Sequence, residues 1–278
     1  MIDGNTTLIA HIGYPTFSFK APLIYNPHFA AAGINAVVMP MGCQAQDYPA
    51  FLRAVFKLSN IGGALITMPH KVSTVALLDE CSVAVKIAGA CNAVKCDAAG
   101  RLRGDLFDGE GFVRALKTRG FAIGSAAALV VGSGGVGSAI AASLAGAGIK
   151  QLVLTDSSLS ATGALAARIR QHYPALDLRA GSNDPAGFDL VVNATPLGMQ
   201  DGDALPVDVA RMSPHALAGE VVMRTGITPY LAAARARGCA VQTGTDMLFE
   251  QIPAYLEFFG FPTATAAQLR SVARLPAA

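Results

Sequence analysis

One stretch limits the possible folds more than any other. The apolar run Ala128-Leu-Val-Val131 leads into Gly132-Ser133-Gly134-Gly135-Val136-Gly137, and the small-residue run Ala139–Ala147 follows at once. A short strand that turns on glycines into a helix of small residues is the opening of a βαβ unit. The GxGxxG spacing gives each glycine its own role, in a tight turn, a close backbone approach to a pyrophosphate, and close helix–strand packing. The helix start adds free N–H groups and a positive dipole end for phosphates. An ordinary glycine-rich turn would carry the same residues. A dinucleotide site is favoured by a second strand candidate, Gln151–Thr155, followed by Asp156, 24 residues after Gly132. A carboxylate there can accept hydrogen bonds from both ribose hydroxyls of NAD and would repel the 2′-phosphate of NADP. Asp156-Ser157-Ser158 offers no Arg to neutralise that phosphate, so NAD is the expected cofactor. The plainer reading of Asp156 is a strand-end carboxylate capping a turn.

The same alternation of short β-branched runs and longer Ala-rich stretches extends along the whole chain. Leu8–Gly13, Asn35–Pro40 and Ala64–Thr67 read as strands, each followed by a stretch of helical length. Cys91–Lys95 and Arg101–Asp105, joined by Asp97–Gly100, read as a hairpin. Asp108–Arg119 reads as a helix stopped by Gly120. Further strands are expected at Ala128–Val131, Leu190–Asn193, Glu220–Met223 and Ala240–Thr243. The helix Pro229–Arg237 has Thr228 as N-cap, Pro229 at its first position and Gly238 past its end. The fold class is α/β with two domains: residues 1–107 completed by 245–278, and a doubly wound dinucleotide-binding domain over 108–244.

Composition removes several function classes. Of 278 residues 52% are hydrophobic and 14% charged, with a net charge of +2. So apolar a chain has ample surface to bury and is not disordered. So balanced a charge does not suit a nucleic-acid binder, which needs clustered Lys and Arg. Mean hydropathy is positive, at +0.43. Yet Gly and Ser break the most apolar runs well short of the ~20 residues a spanning helix needs, so no membrane partner is expected. The N-terminus has no signal-peptide pattern. Five Cys include no CxxC pair, and the five His form no zinc cluster. A cytoplasmic protein, monomeric or homodimeric and without a metal, is the expectation.

Six further motifs occur in order. They are Gly13-Tyr-Pro15 … Lys20-Ala-Pro22-Leu-Ile-Tyr-Asn26, Ile66-Thr67-Met68-Pro69-His70-Lys71, and Gly89-Ala90-Cys91-Asn92-Ala93. The others are Gly104-Asp105-Leu-Phe107-Asp108-Gly109, Asn193-Ala194-Thr195-Pro196-Leu197-Gly198-Met199, and Met247-Leu-Phe-Glu-Gln251. Together with the glycine loop they resemble the shikimate/quinate dehydrogenase family along nearly the whole chain. The resemblance implies an N-terminal α/β substrate domain, a Rossmann domain, and a last helix returning to the first domain. It implies reversible oxidation of a ring hydroxyl by hydride transfer to nicotinamide, with Lys71 and Asp108 as the catalytic pair. A polar group must take the hydroxyl proton as hydride leaves carbon, and Lys71 suits that role. The resemblance also implies that Thr67, Asn92 and Gln251 contact substrate. It places Asn193, Ala194, Thr195, Pro196, Met223 and Gly244 on the cofactor side. Without it, Lys71 and Asp108 would pass for polar residues at element ends, and Asn92 for a turn residue.

This chain departs from the family pattern at polar substrate contacts. The two serines that hold the substrate carboxylate correspond to Phe19 and Ala21, an Asn to Leu65, a Thr to Phe107, and a Tyr to Met223. A one-residue slip would instead make Ser18 one of the serines. Each unpaired buried polar group costs ~1–3 kcal/mol, so several together would cost orders of magnitude in kcat/KM. The expected substrate is therefore a small cyclic hydroxy acid less hydroxylated than shikimate, packed on Phe19 and Phe107. Ser18, Lys20, Tyr25 and Arg224 are candidate anchors for a carboxylate. The alternatives are an ordinary shikimate or quinate dehydrogenase and a catalytically silent NAD-binding sensor. His70 is expected either to line the pocket or to point away. Asp246, where the family has Gly, reads as the N-cap of a helix over Met247–Phe259, or else as a new carboxylate near the ring.

Overall fold

The computed structural model describes residues 2–223 and 226–275. Its chain divides into two units, Met1–Phe107 with Ile252–Ala278, and Asp108–Gln251. The first contains β1 (Thr7–Gly13), α1 (Pro22–Ala31), β2 (Ala36–Gly42), α2 (Tyr48–Val55), β3 (Ile61–Ile66), β4 (Glu80–Cys81), α3 (Val83–Ala88), β5 (Ala93–Cys96) and β6 (Leu102–Asp105). They form a sheet of order β2-β1-β3-β5-β6-β4. β1 pairs parallel with both β2 and β3, and β5 is antiparallel to β3 and β6. The central β1 is apolar on both faces, with Ile9, Ala10 and Ile12 buried, as a strand covered on both sides must be. Asp97 makes the hairpin turn: its Oδ1 accepts from Ala99 N at 2.9 Å and Arg101 N at 3.0 Å.

The second unit contains α4 (Asp108–Thr118), β7 (Ala127–Val131), α5 (Gly135–Gly146), β8 (Gln151–Thr155), α6 (Leu159–His172), β9 (Asp177–Ala180), β10 (Leu190–Asn193), β11 (Leu217–Glu220), α7 (Pro229–Ala236) and β12 (Ala240–Gln242). Its sheet, β12-β11-β10-β7-β8-β9, is parallel throughout. Numbered within the unit this is the 3-2-1-4-5-6 order of a Rossmann domain, whose switch point lies between β7 and β10. Thr228 caps α7, its Oγ1 accepting from Leu231 N. The chain then enters α8 (Gly244–Phe259) and ends in α9 (Ala266–Val272). α9 packs on α1 in the first unit, and Arg274 N donates to Leu23 O at 2.8 Å. The return to the first unit falls at Ile252, inside the uninterrupted α8, where the sequence pattern suggests 245. Among the described residues no helix is long and apolar enough to cross a membrane.

Two local expectations are corrected. The strand expected at Glu220–Met223 lies three residues earlier, at Leu217–Glu220. Gly219 hides it from pattern reading, because a Cβ there would meet the Phe112 ring 2.6 Å away. The two-residue β4 is too short to show a period, and β9 carries charge at Asp177 and Arg179 instead of an apolar run. Asp246 is not an N-cap but the third residue of α8: its Oδ2 accepts from Thr243 N at 3.0 Å, and its own N donates to Thr243 Oγ1 at 3.2 Å. That reciprocal pair is a capping box, and Arg119 Nη2 donates to the same carboxylate at 2.8 Å.

At the end of β11, Glu220 is 2% exposed and accepts from Thr228 Oγ1 at 2.8 Å. Burial pushes its carboxyl up to about 7, while hydrogen bonds from Thr228 and Asn193 act the other way. The folded state therefore holds a proton that the unfolded chain releases near the ordinary carboxylate value. This contribution to stability is complete below that value and is lost as pH rises through about 7. Glu220→Gln should have a melting temperature close to that of the parent at pH 5 and a few degrees above it at pH 8.5, measured by calorimetry.

Candidate active site and dinucleotide cradle

The glycine loop at the carboxyl end of β7 forms by contacts that only missing side chains allow. Gly132 has φ +108°, and a Cβ there would lie 2.8 Å from the Ala194 carbonyl. A Cβ on Gly137 would strike the Gly132 carbonyl oxygen, so this glycine sets how closely α5 meets β7. Gly134 and Gly135 are exposed, and a Cβ on either would meet nothing within 4 Å. The loop is packed where the backbone needs support and open where a pyrophosphate would lie, at the first-turn amides of α5. Gly134 precedes the helix as its N-cap, and Val136 lies in the first turn, half-buried.

Asp156 is tied to this loop. Its Oδ2 accepts from Ser133 N at 2.6 Å and its Oδ1 from Ser158 N at 2.8 Å. These two amides, the Ser133 N–H foremost, hold its carboxyl below the ordinary range. The strand-end carboxylate thus caps its turn and braces the loop, and it stays ionised there. Ser133 spends its N–H on Asp156 rather than on a ligand.

Asn193 holds its loop together. It is fully buried, donates from Nδ2 to Leu197 O at 2.9 Å, and accepts on Oδ1 from Thr195 N and Thr195 Oγ1 at 3.1 and 2.6 Å. Its side chain shapes the loop. The loop's remaining surface belongs to Ala194 and Thr195, both half-buried, and to the exposed Pro196. Met223 is 39% exposed just beyond β11. Gly244 begins α8 against the Val221 and Val222 carbonyl oxygens, where a Cβ would lie 2.8 and 2.6 Å from them. In the same unit Asp108, 8% exposed, opens α4. Gln251 is 9% exposed, and its Oε1 is sealed from solvent without a hydrogen-bond partner among the described residues.

In the first unit, Lys71 follows β3 on a braced turn. Thr67 N donates to Ile12 O at 2.9 Å, His70 N to Thr67 O at 2.9 Å, and Cys91 N to the Lys71 carbonyl at 2.8 Å. His70 points inward: it is 1% exposed, stacks on Tyr48 at 3.9 Å, and bonds the Cys43 carbonyl through Nε2 at 2.8 Å. Of its two expected placements, the structure has the one that holds the turn. Asn92 Oδ1 accepts from Phe107 N at 3.0 Å, which fixes the amide and leaves Nδ2 buried without a partner among the described residues.

Phe19 folds back over the end of β1. A Cβ on Gly13 would lie 2.9 Å from Phe19 Cζ and 2.5 Å from Thr67 Cγ2. The Phe19 ring also lies 4.1 Å from the ring of His11, centroid to centroid. Ser18 is exposed, so Phe19, not Ser18, faces this surface. Ala21 stands at the N-cap of α1 with no side-chain hydrogen bond, where a serine would supply a hydroxyl. Of the proposed carboxylate anchors, Lys20 is exposed and Tyr25 is 3% exposed against Phe29, its hydroxyl unpartnered among the described residues. Arg224 lies outside the described residues. Phe107 is 9% exposed, its ring edge-on to Tyr255 and Phe258 at 4.8 and 5.5 Å. It is committed to that aromatic cluster and offers a ligand little surface. Sequence reasoning gave no role to His11, which sits two residues before Gly13 on the same face of β1.

These features have counterparts in known proteins. A family model described as the shikimate dehydrogenase substrate binding domain matches residues 12–94. The NADP(+) shikimate dehydrogenase of Rubrobacter xylanophilus is 34% identical over 258 residues, covering 90% of this chain and 89% of that protein. The chain belongs to the shikimate dehydrogenase family. Quinate dehydrogenase from Corynebacterium glutamicum in complex with NAD is similar in structure, with a TM-score of 0.86 at 29% identity over 96% of this chain and 98% of that one. So is the 5-ketofructose reductase of a Gluconobacter strain, with a TM-score of 0.88 at 25% identity over 97% and 98%. This shikimate dehydrogenase family member is a nicotinamide-dependent oxidoreductase acting on a CH–OH group.

The glycine loop separates folding from binding. Gly134→Ala should leave the melting temperature unchanged and weaken dinucleotide binding at least tenfold by calorimetry, because its Cβ points into the open cradle. Gly137→Ala should lower both, since its Cβ meets the loop backbone.

Proposed function

We propose that this dehydrogenase oxidises a ring alcohol less hydroxylated than shikimate, with NAD as cofactor and with Lys71 and Asp108 as its catalytic pair. The observation that carries the reading is the Phe19 ring over Gly13 and beside His11, at the position where the family pattern has a serine. A phenyl ring and the Ala21 methyl supply no donor to a carboxylate. Such a surface favours a ring face with few oxygens, because each substrate hydroxyl left unpaired on it would cost ~1–3 kcal/mol. A carboxylate, where the substrate carries one, needs an anchor other than residues 19 and 21. The Gluconobacter relative, a reductase named for a keto sugar, supports a substrate range wider than shikimate for this architecture.

The nicotinamide, when bound, accepts hydride from the carbinol carbon or returns it to the ketone. The chain's own residues manage the proton. Lys71 Nζ takes it from the substrate hydroxyl in oxidation and returns it in reduction. Asp108 orients that hydroxyl and balances the charge on Lys71. The turn held by His70 and by Cys91 N keeps the Lys71 backbone in place, so little reorganisation is left for the reaction itself. Asn92 Nδ2 and Gln251 Oε1, a buried donor and a buried acceptor, bind oxygens elsewhere on the ring.

The preference for NAD rests on Asp156 and on the segment after it. The ionised carboxylate at the loop disfavours a 2′-phosphate, and no basic residue occurs between Asp156 and Arg168. The curated relative from Rubrobacter is named for NADP(+), so the dinucleotide is a sharp point of difference.

Steady-state kinetics test each part. kcat/KM should be at least tenfold higher with NAD than with NADP, and Asp156→Ala with Ser157→Arg should reverse that order. Lys71→Ala should lower kcat by about 10²–10⁴-fold without loss of NAD binding. A cyclic alcohol lacking two of shikimate's hydroxyls should be the better substrate. If shikimate ranks above every such analogue, the substrate assignment fails and an ordinary shikimate dehydrogenase remains. NAD binding with no turnover of any ring alcohol would point to a sensor.

A further inference from the structure

Beside Lys71 the site holds a second titratable group, which the proposed reaction does not use. His11 projects from the carboxyl half of β1, 7% exposed, with its ring against Phe19 at a centroid distance of 4.1 Å and an interplanar angle of 31°. Its Nδ1 is sealed from solvent and has no hydrogen-bond partner among the described residues. Burial, helped by the positive charge of Lys71, pushes the imidazole down to about 4, so it is neutral under ordinary conditions. A neutral imidazole carries one N–H and one bare nitrogen. With the proton on Nδ1, the ring would bury a donor that nothing satisfies, which is costlier than a buried lone pair. The proton therefore belongs on Nε2, and Nε2–H is the donor His11 has to offer.

We infer that His11 is a specificity residue whose Nε2–H donates to an uncharged oxygen of the substrate, a ring hydroxyl or carbonyl, on the side where Phe19 and Ala21 have displaced a carboxylate site. The inference rests on the dehydrogenase reading above and narrows its substrate to a neutral cyclic diol or hydroxyketone. Two serine hydroxyls can surround a carboxylate. One neutral N–H beside a phenyl ring leaves most of that anion's acceptor sites unpaired, but satisfies a single hydroxyl oxygen. Lys71, the nearby cation, is already engaged with the reacting hydroxyl in this reading and does not anchor a second, charged substituent.

The test compares cyclohexane-1,3-diol with 3-hydroxycyclohexane-1-carboxylate, which differ only in the remote substituent, using the full chain with NAD. The diol should have the higher kcat/KM by at least about tenfold. His11→Leu should raise KM for the diol about tenfold or more, with kcat changed less than about threefold. A glutamine amide nitrogen reaches the place of Nε2 and an asparagine nitrogen that of Nδ1. His11→Gln should therefore restore KM to within about threefold, and His11→Asn should not. Melting temperature and NAD affinity of each variant separate these effects from misfolding. A preference for the carboxylate, an unchanged KM in His11→Leu, or equal rescue by Gln and Asn would each overturn the inference. If the parent turns over no ring alcohol, the dehydrogenase reading fails, and diol binding in the presence of NADH still decides on His11. Saturable binding weakened at least tenfold in His11→Leu supports its role, and absent or unaffected binding overturns it.

Discussion

Parallel strands end at one edge of their sheet, and every functional assignment here depends on that constraint. In the second unit, β7, β8 and β10 deliver the glycine loop, Asp156 and the Asn193 loop to the same carboxyl edge. The crevice there lies at the switch between β7 and β10, where the connections diverge and a ligand can enter. In the first unit, β1 and β3 run parallel, so the segment carrying Phe19 and the turn carrying Lys71 leave the sheet side by side. His11 pairs with Leu65 in that register, which puts an imidazole and an apolar side chain at one level of the strand pair. A polar pocket assembled on such an edge can be altered residue by residue without disturbing the sheet, because the ladder hydrogen bonds belong to the backbone.

Two buried titratable groups are both pushed toward their neutral forms, with different consequences. Glu220 gains a proton because burial outweighs the hydrogen bonds from Thr228 and Asn193, and it lies behind the Asn193 loop as part of its support. His11 loses one because burial and Lys71 act in the same sense. The first unit thus sets the Lys71 cation near a neutral imidazole. That arrangement suits a reaction in which one proton moves at one place.

The parts of the molecule that announce themselves in sequence are those where a backbone requirement selects a residue type. The glycine loop, the Thr228 cap with Pro229 behind it, the Asp97 turn and the stop at Gly120 all belong to this class, and each is legible to within a residue or two. The catalytic candidates are legible only through the ordered motifs, since Lys71 and Asp108 have no local pattern of their own. Where the pattern misleads, packing has overruled it. Gly219 makes room for the Phe112 ring and so breaks the signal of β11, and the valines after it draw the expected strand too far along. Asn193 spends its side chain on Thr195, Leu197 and Glu220, a structural role that a binding motif does not distinguish from ligand contact. Asp246 closes a capping box with Thr243, which a helix start three residues earlier than the expected one conceals.

His11 shows why part of a site escapes such reading. A lone histidine within an apolar strand is more often a satisfied core residue than a functional one, and nothing around it in the sequence says otherwise. Its meaning comes from three facts that exist only in the fold: the Phe19 ring on its face, an unpartnered Nδ1, and the nearness of Lys71. The Phe19 substitution is visible in sequence, but by itself it reads only as a loss of a hydroxyl. Beside His11 it becomes an exchange. On the proposed reading, donors suited to an anion are replaced by one neutral donor, which discriminates against charge because desolvating a carboxylate costs far more than desolvating a hydroxyl. Specificity on that reading follows from which polar groups the pocket has given up and which one it has kept.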